Sequence, residues 1–560
     1  MKPKAAVASA IILFPLTLLG ATVVDTNRPT PPSAEGSREK AVDTEVSSGG
    51  AVEAGEDQIL LPALRGLVIA SDSETATKQQ RLAREGVEII GFTEKESAAI
   101  RKIAGETLGK PVSLRSLGKL TSKLDAEFRA QGRTFLRISF PPQEITTGVV
   151  AIRICPARAG QVLLAGNMSF GKAFAASGFR TRAGEMIQTD KVLDDLDWLN
   201  ENTLRRASIS YADGANDDEL DLTLRVRATK TWRVYAGIDD QLSQDLGNER
   251  IFVGFQHGDM FGLDHRFTGQ YTSALEFDRL QGVSGVYEIP LPIRHILEMS
   301  AGYTHSRSDG VSQLDQSGDF SHVGLVYHIP LPRWKLIGQE CRIGMEFSDS
   351  AYRFPDDSSQ SVKSFQIETG WNGTRTDRYG TTTLDASLLY NPGRGILGSD
   401  DEDYQSLGAS GAESWIAKLE AERTFKLGEF GVLSARLSAQ IANSRLQSSD
   451  QITAGGEAGV RGFDESVGYA SDGMVGGIEF QSPVYHAPVI GDFIGVAFFD
   501  GALLSKDLPI DTGELASVGV GLKWRFDDHL SAKLDLGIPI VFPDREKGTP
   551  LLHFAVSSTW

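Results

Sequence analysis

The residues whose types could support catalysis or metal binding are scattered along this chain. Its 2 cysteines, Cys155 and Cys341, lie far apart, so they can form at most one disulfide and cannot form a four-cysteine zinc site. Its 9 histidines include no H-E-x-x-H pair. Residues 166–173 resemble a phosphate-binding loop, but Ala173 stands where the magnesium-ligating hydroxyl is needed. The sequence therefore predicts no catalytic site, no metal site, no nucleotide and no cofactor, and a protein that is not an enzyme.

A different chemistry is available to Arg461, which lies among four glycines: Gly455, Gly456, Gly459 and Gly462. Glycine gives a backbone little intrinsic order, so this composition is typical of a flexible loop. A guanidinium can bind a carboxylate through two charge-assisted hydrogen bonds, and lysine cannot replace that planar fork. The residue types alone allow either a plain surface loop or a loop that one arginine fixes in place.

Composition narrows the classes of protein that could carry this loop. The chain has 560 residues, 41% of them hydrophobic and 23% charged, which is typical of folded protein. At roughly 100 to 200 residues per ordinary domain, the length predicts about three to five units, or fewer if one is a large barrel. The formal net charge of -18 excludes nucleic acid as a main partner, because phosphate contacts require an excess of Lys and Arg.

The first residues indicate export. Lys2 and Lys4 precede an apolar stretch that ends at the small residues Gly20 and Ala21, which predicts a signal peptide over residues 1–21. Residues 22–58 are rich in Pro, Ser, Gly and Glu, and predict a disordered linker. Because no later stretch resembles a spanning helix, an exported soluble protein and an outer-membrane β-barrel remain open.

Two α+β units follow the linker. In residues 59–158 two short strands precede a helix from Glu94 and a second helix with Ser113 as its N-cap, and two strands then return the chain. Residues 159–229 repeat a strand, two helices and two strands. The pattern predicts two consecutive β-α-α-β-β domains.

The helical period disappears in residues 230–560, where apolar and polar residues alternate. The segment 286–292 (VYEIPLP) recurs 40 residues later as 326–332 (VYHIPLP), which fits one membrane hairpin of two tilted strands. At about 21 residues per strand and connection, the segment predicts about 16 antiparallel strands. We expect the prolines of this repeat to lie in turns rather than in the hydrogen-bonded ladder. A water-soluble sandwich would also alternate.

Several motifs resemble two-partner secretion transporters, the TpsB group of ShlB/FhaC/HecB-type haemolysin secretion and activation proteins. Residues 128–132, 141–145 and 148–152 are similar to the first POTRA domain of that family, and residues 196–202 to the second. The most specific likeness is Val460-Arg461-Gly462-Phe463, which is similar to the family's V-R-G-[FY] loop motif. Phe498 and Asp500 match the family's F-x-D-x-G strand motif, although the glycine comes one place early, at Gly501.

The resemblance implies a fold and a function. It implies two periplasmic α+β POTRA domains followed by a transmembrane barrel in the outer membrane of a diderm bacterium. In such proteins the loop folds back into the barrel and its arginine, here Arg461, meets the strand aspartate, here Asp500. The implied function is recognition of a large, β-helical exported partner of the haemolysin or adhesin type and its translocation to the cell surface or medium. Further implied partners are outer-membrane lipid, lipopolysaccharide and the barrel assembly machinery.

Two other functions remain compatible with the sequence. A barrel insertase shares POTRA domains and a related arginine loop, and additional POTRA repeats would favour it. A passive porin-type channel would lack POTRA domains and the arginine–aspartate pair.

Overall fold

The structure is a computed structural model, and the predicted signal peptide and linker lie outside the residues that it describes. The described residues are 59–82, 85–131, 133, 135–166, 172–216, 218–228, 230–309, 315–334, 337–354, 358–393, 397–465, 467–505, 513–527, 529–542 and 548–560. The chain divides into two compact units after residue 229.

The first α+β domain is built on a four-stranded sheet. Its sheet order is β3-β2-β6-β5, and β2 runs parallel to both of its neighbours. A separate antiparallel pair joins β1 and β4. The elements are β1 (Ile59–Leu61), β2 (Gly66–Ala70), α1 (Ser73–Leu82), β3 (Gly86–Ile90), α2 (Glu94–Gly105), β4 (Val112–Ser113), α3 (Leu114–Ala130), β5 (Leu136–Ser139) and β6 (Val149–Pro156).

Helices α2 and α3 begin where their side chains can satisfy free backbone N–H groups. Thr93 and Glu96 form a reciprocal capping box at the start of α2, and Ser113 and Ser116 do the same for α3. Both helices bury one apolar face on the sheet, through residues such as Ile100 and Leu124. Helix α1 was not expected, because its sequence shows no apolar period.

The second domain has a three-stranded sheet of order β7-β9-β8. Its elements are β7 (Arg158–Ala165), α4 (Lys172–Gly178), α5 (Thr189–Asn200), β8 (Arg206–Asp213) and β9 (Glu219–Arg227). Only Ala157 separates β6 from β7, and Phe135 of the first domain is buried in the second domain's core beside Tyr211. Strand β7 begins at Arg158, the last residue that the sequence assigns to the first domain. That domain boundary stays a prediction.

The second unit is a closed antiparallel barrel. Its first strand pairs with its last, and β23 and β24 occupy one position beside β25, which gives 16 positions over the described residues. This confirms the predicted barrel of about 16 strands. The wall strands are β10 (Trp232–Asp239), β11 (Arg250–Met260), β12 (His265–Ala274), β13 (Leu280–Pro290), β14 (Ile296–Asp309), β15 (Asp315–Trp334), β16 (Ile337–Arg353), β17 (Ser359–Asp377), β18 (Gly380–Pro392), β19 (Glu413–Lys426), β20 (Val432–Ala442), β23 (Gly473–Gln481), β24 (Tyr485–Ala487), β25 (Gly491–Leu504), β26 (Glu514–Arg525), β27 (Leu530–Val541) and β28 (Leu551–Thr559).

The alternation of residue types sorts the side chains between the two faces of the barrel wall. On β25, Phe498 and Asp500 are buried while Phe499 and Leu503 are exposed. On β27, Leu534 and Leu536 are exposed on either side of the buried Asp535. The outward face is therefore apolar and the inward face carries the polar groups, as in a membrane barrel. No helix among the described residues is long and apolar enough to cross a membrane.

The prolines of the repeated segment depart from expectation. Pro290 ends β13, but Pro330 lies inside β15, paired with Glu340. Pro332 lies where the β15–β16 register shifts, a position that tolerates a residue without an N–H donor.

One long connection folds into the barrel lumen. We call residues 443–472, which join β20 to β23, the inner loop. It contains a short 3-10 helix (Ser448–Asp450) and a small hairpin of β21 (Ile452–Ala454) and β22 (Gly468–Ala470). A further connection, between β18 and β19, contains helix α6 (Asp401–Ser406).

Candidate functional site

Arg461, at the tip of the inner loop, is held by carboxylates from three barrel strands. Its Nε donates to Asp500 Oδ2 at 2.7 Å and its Nη2 to Asp500 Oδ1 at 3.2 Å, which is the bidentate fork. Its Nη1 donates to Glu479 Oε2 at 2.7 Å and to Asp535 Oδ2 at 3.0 Å. One side chain thus connects the loop to β23, β25 and β27.

An aromatic ring completes the surroundings of this guanidinium. The Arg461 Cζ lies 3.5 Å from the centroid of the Phe498 ring, a cation–π contact. The Arg461 side chain is only 3% exposed and the Asp500 side chain is fully buried. We call Arg461, Glu479, Phe498, Asp500 and Asp535 the arginine cluster.

Three further cations balance the carboxylates around the cluster. Arg436 Nη2 lies 3.3 Å from Asp500, Lys523 Nζ 3.4 Å from Glu479, and Lys533 Nζ 3.1 Å from Asp535. Burying a charge is costly unless it is paired, so these contacts offset part of the cost of burying Asp500 and Asp535.

Apolar side chains next to Arg461 fix the loop by packing. Val460 and Phe463 are buried in one cluster with Val475 and Leu504 of the wall and Ala454 of the loop itself. Packing and ion pairing therefore act on the same four consecutive residues, Val460 to Phe463.

Two glycines permit the loop backbone to touch the wall. Gly462 has φ +97°, a left-handed conformation that favours glycine. A Cβ on Gly537 of β27 would lie 2.4 Å from Gly462 N and 2.6 Å from Arg461 C, which no real side chain allows. Backbone therefore meets backbone at this point.

Other contacts anchor the rest of the inner loop. Arg436 Nη1 and Nη2 donate to the carbonyls of Ala458 at 2.9 Å and Gly459 at 2.7 Å. Glu457 accepts from Lys533 and from Gln241, each at 2.8 Å. In the part of the loop that leads from β20 to Arg461, Asp450 accepts from Gln366 Nε2 of β17 through both carboxylate oxygens at 3.0 Å. The loop consequently contacts widely separated parts of the wall.

The structure brings together the six residues that the sequence singled out: Val460, Arg461, Gly462, Phe463, Phe498 and Asp500. Sequence reasoning missed Glu479, Asp535, Arg436 and Lys533. A signal for Asp535 was present, since a carboxylate between Leu534 and Leu536 on an outward-apolar strand must point into the lumen. The functional role of all these residues stays a prediction.

The arrangement is suited to holding a loop rather than to bond-making chemistry. It presents an arginine already saturated by carboxylates, with no nucleophile beside a base. Within the described parts of the chain, no group of three or more His, Cys, Asp or Glu side chains could hold a metal ion.

Comparison with known families identifies the two parts of the chain. Residues 218–524 match the family described as haemolysin secretion/activation protein ShlB/FhaC/HecB, and residues 82–157 match the POTRA domain of ShlB type. The resemblance drawn from the sequence is thereby confirmed.

Curated relatives carry transporter names. Outer membrane transporter CdiB-2 of Burkholderia pseudomallei (strain 1026b) is 25% identical over 396 residues, 68% of this chain and 66% of that protein. Outer membrane transporter CdiB of Escherichia coli O6:K15:H31 is 23% identical and covers 81% of this chain and 78% of its own. Heme/hemopexin transporter protein HuxB of Haemophilus influenzae (strain 86-028NP) is 21% identical, and the match covers 82% of each chain.

Solved structures support the fold. CdiB from Escherichia coli superposes with a TM-score of 0.65 at 16% identity, over 99% of this chain and 98% of that one. CdiB from Acinetobacter baumannii gives a TM-score of 0.55 at 17% identity, over 97% and 96%.

Proposed function

Because this chain belongs to the haemolysin secretion/activation protein family ShlB/FhaC/HecB, we propose that it exports one or a few large secreted partner proteins, of the haemolysin or adhesin type, by way of the Arg461 loop. It is an outer-membrane transporter of two-partner secretion, with its POTRA domains in the periplasm. The identity and β-helical character of the partner, and the role of the loop, belong to the proposal.

The observation that supports this proposal best is the inner loop inside the barrel. The loop contacts β17, β20, β23, β25 and β27, so it crosses the lumen through which a client would pass. Its contacts are hydrogen bonds and ion pairs of individually modest strength, which can be exchanged for water when the loop leaves. The arginine cluster would act as a latch with docked and released states.

Recognition is assigned to the POTRA sheets. An extended client can add as a strand to a sheet edge, where main-chain hydrogen bonds give affinity and side chains give selectivity. The edge strand β8 packs through Tyr211 on Arg129 and Phe135 of the first domain. Strand β7 forms the other edge of its sheet and exposes Leu163 to 51%. We therefore assign client binding to β7.

The transport step needs no nucleotide in this scheme. An unfolded client would pass the lumen extended, and its folding outside the cell would prevent its return. Lipid and lipopolysaccharide would contact the outward apolar face, and the barrel assembly machinery would insert the barrel.

The two alternatives from the sequence are less well supported. An insertase with additional POTRA repeats does not fit the two α+β domains of the described residues, and a passive channel explains neither these domains nor the arginine cluster.

The test compares extracellular proteins of the native bacterium with and without this gene. We expect one or a few large proteins to disappear from the medium and cell surface in the deletion strain and to return with the wild-type gene. A general loss of outer-membrane barrels would indicate an insertase. Unchanged extracellular proteins with altered uptake of small solutes would indicate a passive channel.

A further inference from the structure

His553 of β28 links the inner loop to the junction between the first and last barrel strands. Its Nε2 accepts a hydrogen bond from the backbone N of Gly462 at 3.0 Å, directly beside Arg461. Its Nδ1 lies 2.8 Å from Asp240 Oδ2, and the His553 side chain is only 3% exposed. No motif in the sequence pointed to this histidine.

The two ring nitrogens have opposite roles in this arrangement. A backbone N–H can only donate, so Nε2 must be the unprotonated acceptor. Nδ1 then carries the ring proton and donates it to Asp240. The docked loop and the aspartate together fix the tautomer and the orientation of the ring.

We call the ladder between β10 and β28, the first and last barrel strands, the seam. Asp240 adds hydrogen bonds at one end of the seam. Its Oδ1 accepts from the backbone N of Phe554 at 3.0 Å, and its own N donates to Phe554 O at 3.3 Å. The seam has five register pairs, from Tyr235 to Asp239, whereas each flanking ladder has eight. Backbone hydrogen bonds between Val234 and Trp560 extend the seam at one end, and Asp240 extends it at the other.

We propose that His553 is a positioning residue that couples docking of the inner loop to closure of the seam. When Gly462 donates to the ring, the ring is held where it donates to Asp240, and Asp240 is held where it accepts from Phe554. Release of the loop removes the acceptor role of Nε2, frees the ring and loosens Asp240. The loop and the seam therefore open together more often than they would if the two openings were independent.

Two substitutions separate the two bonds of the ring. His553→Gln keeps an acceptor near the Nε2 position and loses the donor near Nδ1. His553→Asn keeps a donor near the Nδ1 position and cannot reach Gly462. Asp240→Ala removes the seam acceptor without changing the ring and provides an independent check on His553→Gln.

The assays use the purified full chain in detergent without any client, so they are independent of whether it exports a protein. Trypsin cleavage after the buried Arg461, followed by mass spectrometry, reports release of the loop. Disulfide formation between Ile238→Cys and Val556→Cys, a register pair across the seam, reports seam closure. Both native cysteines are replaced by serine, and the change in gel mobility on boiling confirms that each variant has folded.

The proposal predicts different results for the two variants. His553→Asn should raise the cleavage rate after Arg461 roughly five- to thirtyfold, and His553→Gln should leave it near the wild-type rate while slowing disulfide formation across the seam. Asp500→Ala, which releases the loop from β25, should slow disulfide formation in the His553 protein but have no further effect in His553→Gln or Asp240→Ala. The coupling is disproved if Asp500→Ala slows the cross-link equally in all backgrounds, or if no variant changes it.

Discussion

At the residue scale, the arginine cluster is an ion-pair network in which Glu479, Asp500 and Asp535 each contact Arg461 and one further cation. Four cations, Arg436, Arg461, Lys523 and Lys533, contact four carboxylates, Glu457, Glu479, Asp500 and Asp535. Such pairing sets the position of the loop more than it stabilises the barrel, because the desolvation of each charge offsets much of the attraction.

The first prediction concerns the pair Arg461 and Asp500. Arg461→Ala and Asp500→Ala should each impair export but allow insertion of the barrel, because neither residue faces lipid. A charged hydrogen-bonded pair contributes about 1.5–3 kcal/mol, which shifts the loop from docked to released by roughly ten- to a hundredfold. Hydrogen exchange of the loop peptide around residue 461 in the two single variants and the double variant gives the coupling energy.

Strictly additive effects in that cycle, with equal exchange in all variants, would show that the pair does not hold the loop. Exchanging the two charges, Arg461→Asp with Asp500→Arg, should restore little. The introduced carboxylate would face Glu479 and Asp535, which contact the original arginine.

A second prediction uses the backbone contact at Gly537. Gly537→Ala places a methyl group 2.4 Å from Gly462 N and should displace the loop tip although it changes no charge. Gly501→Ala is the matched control, because its Cβ would meet nothing nearer than 3.4 Å, at Leu515 O. Trypsin should cleave after Arg461 faster in the first variant only. Equal rates in both variants would mean that the tip does not rest on β27.

The sequence predicted the chemistry of this site but not its full membership. Asp500 was found because a motif names it, whereas Glu479 and Asp535 lie on other strands at no characteristic spacing from Arg461. Their meeting depends on the closure and stagger of the barrel, which bring inward residues of β23, β25 and β27 around one point. Local patterns carry no information on such distances.

At the element scale, hydrophobic periodicity predicted the strands and helices that bury a continuous apolar face. It missed helix α1, which buries no such face. Helix α1 buries only Ala76 and Gln80, so its sequence shows no apolar stripe. It starts where the Asp72 side chain accepts from the Thr75 N–H at 2.7 Å, and that hydrogen bond lowers the pKa of Asp72. An N-cap was thus the available signal.

The third prediction tests the capping box of α2. Burial raises the pKa of Glu96, but hydrogen bonds from Thr93 and the nearby Arg133 lower it more, so the pKa lies below its usual value. The ionised Glu96 therefore contributes stability that is present above the unfolded-state pKa and is lost as pH falls through the lower folded-state pKa. Thr93→Ala should cost about 1 kcal/mol of unfolding free energy at neutral pH.

Urea unfolding of the fragment 59–229, part of a compact unit with its own cores, measures this effect. The difference between Thr93→Ala and wild type should shrink as the pH falls through the acidic range. A difference that does not change with pH would indicate that Thr93 acts without Glu96.

The fourth prediction concerns the edge strand β7. Leu163→Asp introduces a charge that opposes strand addition, so it should reduce export and weaken binding of the partner to the POTRA domains. Leu82→Asp, at the end of α1, is the control, because Leu82 is similarly exposed (66%) but lies on no sheet edge. If both changes reduce export equally, or neither does, the client binds elsewhere.

At the scale of the whole molecule, length, export signal and alternation together predicted two domain types and their order. The structure adds how the barrel is closed: one loop lies across the lumen, and the first strand pairs with the last along the seam. Neither follows from composition, because each depends on residues far apart in the chain.

The most direct test of the account asks whether the inner loop must leave the lumen during export. Glu457→Cys and Lys533→Cys replace a loop residue and a wall residue whose charged groups lie 2.8 Å apart, and Cys155 and Cys341 are changed to serine. A short, reducible bismaleimide then ties the loop to β27 in living cells, and each single-cysteine variant with the same reagent is the control. Export of the partner should stop in the bridged protein and resume when the bridge is reduced. Export at the unbridged rate through fully bridged protein would contradict the account.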